Sequence, residues 1–431
     1  MSKCGLPTID EIPQWWALRR VKDNFRVVGG GTPNAQEIDA DFPIRWATPT
    51  DFSDAERSLS RTARGISPKG HEEIGKCVVR DDAILMSCRA PAGKVALPSY
   101  SLAFNQGCKG LAPRHGNVLR EWYFYALVEQ RAQIEDLARG ATFAEISGDA
   151  LKRVVLPSPP TDEQRRIAAW LDLQTHRIDK RRELLGKKRD LLRDLKKSVT
   201  EEATIRGITS DVEFRDSEID WLDKVPAHWP TLRLGSLFRE AADAGIEGLP
   251  MLSVSLHTGI TDKELDDEEM ERKVSRSEDR TLYKRVKPGD LVYNQMRAWQ
   301  GAFGAAQIEG LVSPAYVVAR PRRGVVPRFV EHLLRAPAAM EEIRRRSRGI
   351  TDFRLRLYWD EFKNIRIALP PLDEQEEIAA FLDRKLSQID RQIALIDRLD
   401  DLFQQQRKAI IHEAVTGKIN LSDYEPPAQA A

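Results

Sequence analysis

The stretch Ser158-Pro159-Pro160-Thr161 is one place where this sequence could hold a reaction. Pro-Pro between a polar residue and an aromatic ring can grip a base swung out of its stack and present its amino group for methylation. Here Thr161 stands where the stacking ring is needed. The twin stretch Leu369-Pro370-Pro371-Leu372 opens a helical pattern in the same way, so both read as helix entries. Gly29-Gly30-Gly31-Thr32-Pro33 lacks the Gly-Lys-Ser/Thr ending of a phosphate loop and precedes no helical pattern, which makes it a structural turn. His71, His115, His176, His228, His257, His332 and His412 are scattered along the chain. Cys4, Cys77, Cys88 and Cys108 show neither Cys-x-x-Cys spacing nor a histidine at finger-like distance, so reduced thiols are expected rather than a zinc site or a disulfide frame. Neither a catalytic set nor a metal site is expected.

Hydrogen-bonding chemistry remains. Ser87-Cys88-Arg89-Ala90-Pro91-Ala92-Gly93-Lys94, followed by Asn105-Gln106, is one stretch rich in planar polar groups; Asn294-Gln295-Met296-Arg297-Ala298-Trp299-Gln300 is the other. Arginine offers a fork of donors, and Asn or Gln a donor beside an acceptor. Asp82 to Gly93 corresponds to Asp290 to Gly301, which aligns Arg89-Ala90 with Arg297-Ala298. A repeated arginine at a strand end can serve recognition, or it can brace the fold through a buried carboxylate. Arg344-Arg345-Arg346 reads as a phosphate-facing or solvated run.

The elements that must position these groups are two long helices. In the second, expected over 373–418, Leu382, Ile389, Ile396, Phe403 and Ile410 fall seven residues apart, with Ile378, Ile393 and Leu399 on flanking turns. At about 1.5 Å per residue such a helix is roughly 65 to 70 Å long, more than a small core needs. The entry Pro370-Pro371-Leu372-Asp373-Glu374-Gln375 with Ile378-Ala379-Ala380-Phe381-Leu382-Asp383 repeats Pro159-Pro160-Thr161-Asp162-Glu163-Gln164 with Ile167-Ala168-Ala169-Trp170-Leu171-Asp172 at a constant offset of 211. Leu171, Ile178, Leu185, Leu192 and Val199 repeat the heptad at that offset. The chain is a tandem duplication. Basic residues dominate the first helix, in Lys180-Arg181-Arg182 and Lys187-Lys188-Arg189, whereas acidic residues dominate the second. Opposite charges beside matching apolar seams predict an intramolecular antiparallel coiled coil.

The duplication extends beyond the helices. Ile12-Pro13-Gln14-Trp15-Trp16 returns as Val225-Pro226-Ala227-His228-Trp229, and Arg139-Gly140 as Arg348-Gly349. Loops that differ over a shared frame suit two copies that read different targets. The 431 residues allow two to four domains, and 41% hydrophobic content is ample for cores. A net charge of +1 argues against a uniformly basic coat while permitting local basic surfaces. With no apolar run of membrane length and no signal-peptide core in Met1 to Arg20, a cytoplasmic protein is expected.

Taken in order, the chain resembles the DNA-specificity subunit of a Type I restriction-modification system. The resemblance rests on the two Pro-Pro-x-Asp-Glu-Gln entries with Ile-Ala-Ala, and on the ending Glu413-Ala414-Val415-Thr416-Gly417-Lys418-Ile419. Gly30-Gly31-Thr32-Pro33 and Asn105-Gln106-Gly107-Cys108-Lys109-Gly110 add to it; the second half lacks a clear Gly-Gly-Thr-Pro. The implied fold is α/β (α+β): a target-recognition domain over 1–157, a spacer helix over 158–207, a second recognition domain over 208–369, a second helix over 370–421 and a flexible tail over 422–431. The helices would pair as an antiparallel coiled coil with pseudo-twofold symmetry.

The resemblance further implies a non-catalytic chain. Each domain would read half of a bipartite site on double-stranded DNA, the helices would fix the gap, and two modification subunits would dock on them. S-adenosylmethionine, ATP and Mg would belong to the modification and restriction/translocase partners, with no cofactor in this chain and no membrane partner. Arg89, Lys94, Asn105 and Gln106, with Asn294, Gln295, Arg297 and Gln300, are then the candidate DNA contacts, because arginine matches guanine O6 and N7, and Asn or Gln matches adenine N6 and N7. The rival reading is a coiled-coil scaffold whose globular domains bind proteins and not DNA.

Overall fold

A computed structural model describes residues 1–6, 9–53, 57–89, 91–139, 145–256, 259–261, 280–349 and 355–426. Ala90, Gly140 and the end of the expected tail, 427–431, lie outside the described residues. The chain forms two compact units, one of residues Met1–Leu185 with Arg398–Ala431, the other of Gly186–Asp397. Each long helix, Thr161–Arg206 and Leu372–Val415, contributes one part to each unit.

Each unit is built around an antiparallel sheet whose central strand is an unbroken apolar run. In the first unit Ile84–Ser87 is buried at all four positions and lies between Cys108–Pro113 and Val95–Pro98; Phe25–Gly29 pairs beyond Cys108–Pro113, and the short strand Ser58–Leu59 joins Val95–Pro98 in parallel. In the second unit Leu291–Asn294, also wholly buried, lies between Tyr316–Pro321 and Phe303–Ala305, with Phe238–Ala241 outermost. The four shared strands keep one order in both units, so the duplication is one of fold. A strand buried on both faces needs no alternation, which is why these segments read as continuous hydrophobic runs.

A two-stranded ribbon leads into each long helix. Ala17–Arg20 pairs with Val155–Ser158 in the first unit, and Thr231–Arg233 with Arg366–Ala368 in the second. Pro159-Pro160 and Pro370-Pro371 follow at once, ending the ribbons because proline cannot donate to a ladder. Residues 120–139 form two helices, Arg120–Glu129 and Arg131–Arg139. The first is buried all round from Trp122 to Leu127, whereas the second buries only Ile134 and Ala138. One straight helix could not serve both environments.

Both cores are completed by the long helices. Ile167, Ala168 and Leu171 from the start of one helix, and Ile411, Ala414 and Val415 from the end of the other, join Trp16, Phe25, Trp122 and Tyr125. In the second unit Ile378, Ala379 and Leu382, with Ala203 from the end of the first helix, join Trp229, Phe238, Tyr293 and Phe362. The second helix stops at Val415, before the expected Lys418. Gly417 takes φ +70, its N–H donates to the Ala414 carbonyl and that of Lys418 to the Glu413 carbonyl. This left-handed closure satisfies the last carbonyls, and a Cβ on Gly417 would lie 2.4 Å from Pro13.

Candidate nucleic-acid interface

The two stretches of planar polar side chains sit at the ends of the central strands. After Ile84–Ser87, the Ser87 hydroxyl donates to the Pro91 carbonyl and accepts from Lys94 N–H, closing a tight loop whose return is Gly93 at φ +81. Arg89 Nε donates to Glu145 at 2.8 Å, and Lys109 Nζ lies 3.8 Å from the same carboxylate. Asn105 Oδ1 accepts from Gly107 N–H at 2.9 Å, so its side chain braces its own turn. A Cβ on Gly107 would lie 3.2 Å from Asn105 Oδ1 and 3.5 Å from Arg89 Cδ, which places both side chains against one glycine. Gln106 is exposed beside them, and Lys94 lies across the loop from Ser87, half-buried.

The glycine run supports this surface. Gly31 N–H donates to the Phe104 carbonyl, Trp46 Nε1 donates to the Gly31 carbonyl, and a Cβ on Gly30 would fall 2.1 Å from the Asn105 carbonyl oxygen. Backbone passes so close to backbone that no side chain fits. The Gly30→Ala variant is expected to displace the Asn105-Gln106 turn and to lose about 1 to 3 kcal/mol of stability, read from chemical denaturation.

The second stretch follows Leu291–Asn294. Asn294, buried, accepts Met296 N–H on Oδ1 at 3.0 Å and so braces its turn as Asn105 does. Residues Ala298–Gln300 form a 3-10 turn closed by Gly301 at φ +92. Gln295 and Arg297 are half-buried and Gln300 is exposed. The Gln295 carbonyl accepts from Leu357 N–H, just as the Cys88 carbonyl accepts from Ile146 N–H.

These backbone bonds correct the correspondence of the two loops. Cys88 is equivalent to Gln295 and Ser87 to Asn294, while Gly93 is equivalent to Gly301 at the far end. The second loop is therefore one residue longer. Counted from the strand, Arg89 matches Met296; counted from the glycine, it matches Arg297. The extra residue is absorbed in the 3-10 turn, and the Arg-Ala alignment hid it. Sequence reasoning also missed Glu145, which holds Arg89 from 56 positions away. Arg344 lies within ion-pair distance of the exposed Glu341, whereas Arg345 and Arg346 both reach the buried Glu342.

Of the residues expected in the helix seam, Leu171 and Ile410 lie in or against the core of the first unit, and Leu382 and Val199 in or against that of the second. Leu171, Ile178, Leu382, Ile389 and Ile396 are buried, whereas Leu185, Leu192, Val199, Phe403 and Ile410 are half-buried. Within the first unit Arg182 reaches both oxygens of Asp400 at 2.7 and 3.1 Å, and Arg407 reaches Asp179 at 3.1 Å. Within the second unit Arg189 reaches Asp397 at 3.1 Å and Lys196 reaches Asp390 at 2.6 Å. In each unit the partner number falls as the helix number rises, so the pairing is antiparallel. Leu399, expected on the apolar stripe, is 44% exposed. The seam steps from Ile396 to Asp400 to Phe403, and Leu399 lies one position off it.

The helix entries are joints between each helix and its domain. Gln164 and Gln375 each donate to the carbonyl of the first proline of the step at 2.8 Å. Glu163 accepts from Trp15 Nε1 at 3.2 Å; Glu374 accepts from Trp229 Nε1 at 3.1 Å and lies 2.9 Å from His228 Nε2. Asp172 accepts from the Tyr125 hydroxyl at 2.7 Å and pairs with Arg57. Asp383 accepts from Arg328 at 2.7 Å and lies 2.9 Å from His332 Nε2. Burial pushes the Asp383 carboxyl up, but hydrogen bonds from His332 and Arg328, and the Arg328 charge, outweigh it and hold the group at about 2. That carboxylate is charged throughout the neutral range. Among the described residues no group of three or more His, Cys, Asp or Glu is placed to hold a metal, and no helix is long and apolar enough to cross a membrane.

The family model described as the type I restriction modification DNA specificity domain matches residues 13–185 and 350–401. The MjaIX type I restriction enzyme specificity subunit of Methanocaldococcus jannaschii is 30% identical over 241 residues, 54% of this chain and 53% of that protein, so the match spans about half of that relative. The MjaVIII specificity subunit of the same organism is 21% identical over 433 residues, covering 96% and 95%. A structure of a type I R-M system, described for complex assembly and conformational transition, aligns with a TM-score of 0.68 at 16% identity over 95% of this chain and all of the other. The HsdS subunit of Thermoanaerobacter tengcongensis aligns at 0.51 and 17% identity, over 95% and 98%. These structural likenesses show the shared fold.

Proposed function

This chain belongs to the type I restriction-modification DNA specificity family, and from that premise we propose that its two domains each read one part of a bipartite DNA site while the helix pair sets the gap between them. The observation that carries this reading is the duplicated frame: one strand order in both units, ending in loops of different length and composition, each frame joined to a helix by the same Asp-Glu-Gln entry. One scaffold with two different loops suits an asymmetric target.

In this reading Arg89, Lys94, Asn105 and Gln106 serve one half-site and Asn294, Gln295, Arg297 and Gln300 the other. Glu145 holds Arg89 by Nε and so aims its guanidinium fork. The chain is non-catalytic and acts in the cytoplasm. Two modification subunits supply S-adenosylmethionine-dependent methylation, and restriction/translocase subunits use ATP and Mg. Four leucines support docking on the helices. Leu184, Leu191, Leu395 and Leu402 are all more than half exposed, and the offset of 211 relates Leu184 to Leu395 and Leu191 to Leu402. Two equivalent sets of exposed leucines fit two copies of one partner. Exchanging either equivalent pair for glutamate is expected to weaken assembly with modification subunits about tenfold or more, measured by titration, with the fold of the chain unchanged.

The test of the reading itself uses Arg89→Ala and Arg297→Ala. Each is expected to cost roughly 1 to 3 kcal/mol at one half-site only, measured as binding of the assembled complex to duplexes altered in one half at a time. Equal loss on specific and random duplexes, with a shallower salt dependence, would assign these arginines to phosphates instead. A chain indifferent to duplex DNA and to modification subunits would leave only the protein scaffold.

A further inference from the structure

Asp172 and Asp383 hold the same place in the repeat, 211 positions apart, yet their donors are different. Asp172 is held by Tyr125 and Arg57, the latter from just before the edge strand Ser58–Leu59. Asp383 is held by Arg328 and His332, both from the helix Pro327–Leu334. The acceptor is common to the halves while the donors are rebuilt, one a phenol and one an imidazole. That pattern marks the carboxylate as the fixed part of the joint.

Packing alone does not set the joint. Beside Asp172 a crevice of about 480 Å³ opens between the domain and the helices, lined by Arg57, Ser58 and Ser60 on one side and by His176, Asp179 and Arg407 on the other. Ile167, Ala168 and Leu171 hold the start of the helix against the core, and at the crevice a carboxylate gripped by two directional donors adds resistance to rotation. In the second unit the grip continues inward. Arg328 also bonds Glu331, which is buried and accepts from Arg335 and from Ala305 N–H, and Arg335 donates to the Leu256 carbonyl. Asp383 is thereby tied to a sheet strand and to the hairpin of Ser253–Ser255 with Gly259–Thr261.

We propose that Asp172 and Asp383 are positioning residues that fix the angle at which each recognition domain stands on its helix, and so the strictness with which the gap between half-sites is measured. The proposal rests on the bipartite reading above. It is tested by binding of the assembled complex to duplexes that keep both half-sites and vary the gap by single base pairs. Asp172→Asn and Asp383→Asn are each expected to flatten the gap profile, lowering discrimination between the optimum and its neighbours by about three- to tenfold, with affinity at the optimum less affected. Tyr125→Phe, which keeps the ring and leaves Arg57 on the carboxylate, should flatten it less; Asp172→Glu should restore part of the wild-type profile. If Asp172→Asn does not fold, Tyr125→Phe decides the first half. Folded variants with a wild-type profile, or with uniform loss at every gap, would overturn the proposal. A wild-type complex indifferent to the gap would overturn the bipartite reading as well, and so separates the two failures.

Discussion

The Ile396→Asp variant is expected to lose assembly with modification subunits altogether. Ile396 is 5% exposed in the seam, and the neighbouring Asp397 already carries the negative partner of Arg189. A second carboxylate placed there adds a charge at a buried position and must either stay buried or force the helices apart to reach water. Either course costs about 3 to 5 kcal/mol, comparable to breaking a buried pair. Ile396→Leu keeps the volume and should cost less than about 1.5 kcal/mol. The comparison is made by thermal unfolding and by complex formation in solution. An Ile396→Asp chain that assembled normally would show that the seam does not support the docking surface.

The second large effect follows from helix length. Lys196 pairs with Asp390 within one unit, so a heptad inserted after Lys197 must be matched by one beside Asp390 if seam and ion pairs are to stay in register. Seven residues add about 10.5 Å to a helix. That is about three base pairs of duplex at roughly 3.4 Å each. The preferred gap is expected to grow by about three base pairs, with DNA twist or bending absorbing the change of phase. An insertion in one helix alone should unpair the seam, because apolar positions would then face charged ones. An unchanged optimum in a folded, matched-insertion protein would show that the helices do not set the spacing.

The seam was legible because its period is local: Leu382, Ile389 and Ile396 announce a buried face without knowledge of anything distant. The polar half of that seam was not. Total charge distinguished the two helices, but which positions would pair depended on register, and Arg407 with Asp179 runs against the general sign. The step from proline to helix was legible in both halves. The loop correspondence failed at one residue. Arg89-Ala90 and Arg297-Ala298 align in letters, whereas the hydrogen bonds to Ile146 and Leu357 show an inserted residue between strand and glycine.

The joints show the same division. Asp172 and Asp383 stood in plain view within the repeated entry, but their donors lie in other elements, Arg57 at 115 positions from Asp172 and Arg328 at 55 from Asp383. Spacing along a helix predicts which face a side chain takes; it does not predict what comes to meet it. Glu145, which orients Arg89, is hidden for the same reason. Asn105 and Asn294, read as possible base contacts, both spend their carbonyl oxygens on their own turns, a local use that their exposed polar neighbours gave no reason to expect.

The most direct measurement is selection of bound duplexes from a random pool by this chain assembled with two modification subunits, followed by sequencing of what is retained. Two short specified blocks separated by a gap of fixed length and unspecified sequence are expected. Exchange of residues 208–369 for the corresponding domain of another specificity chain is further expected to change one block and leave the other block intact. A single continuous block, or retention without sequence preference, would contradict the bipartite reading.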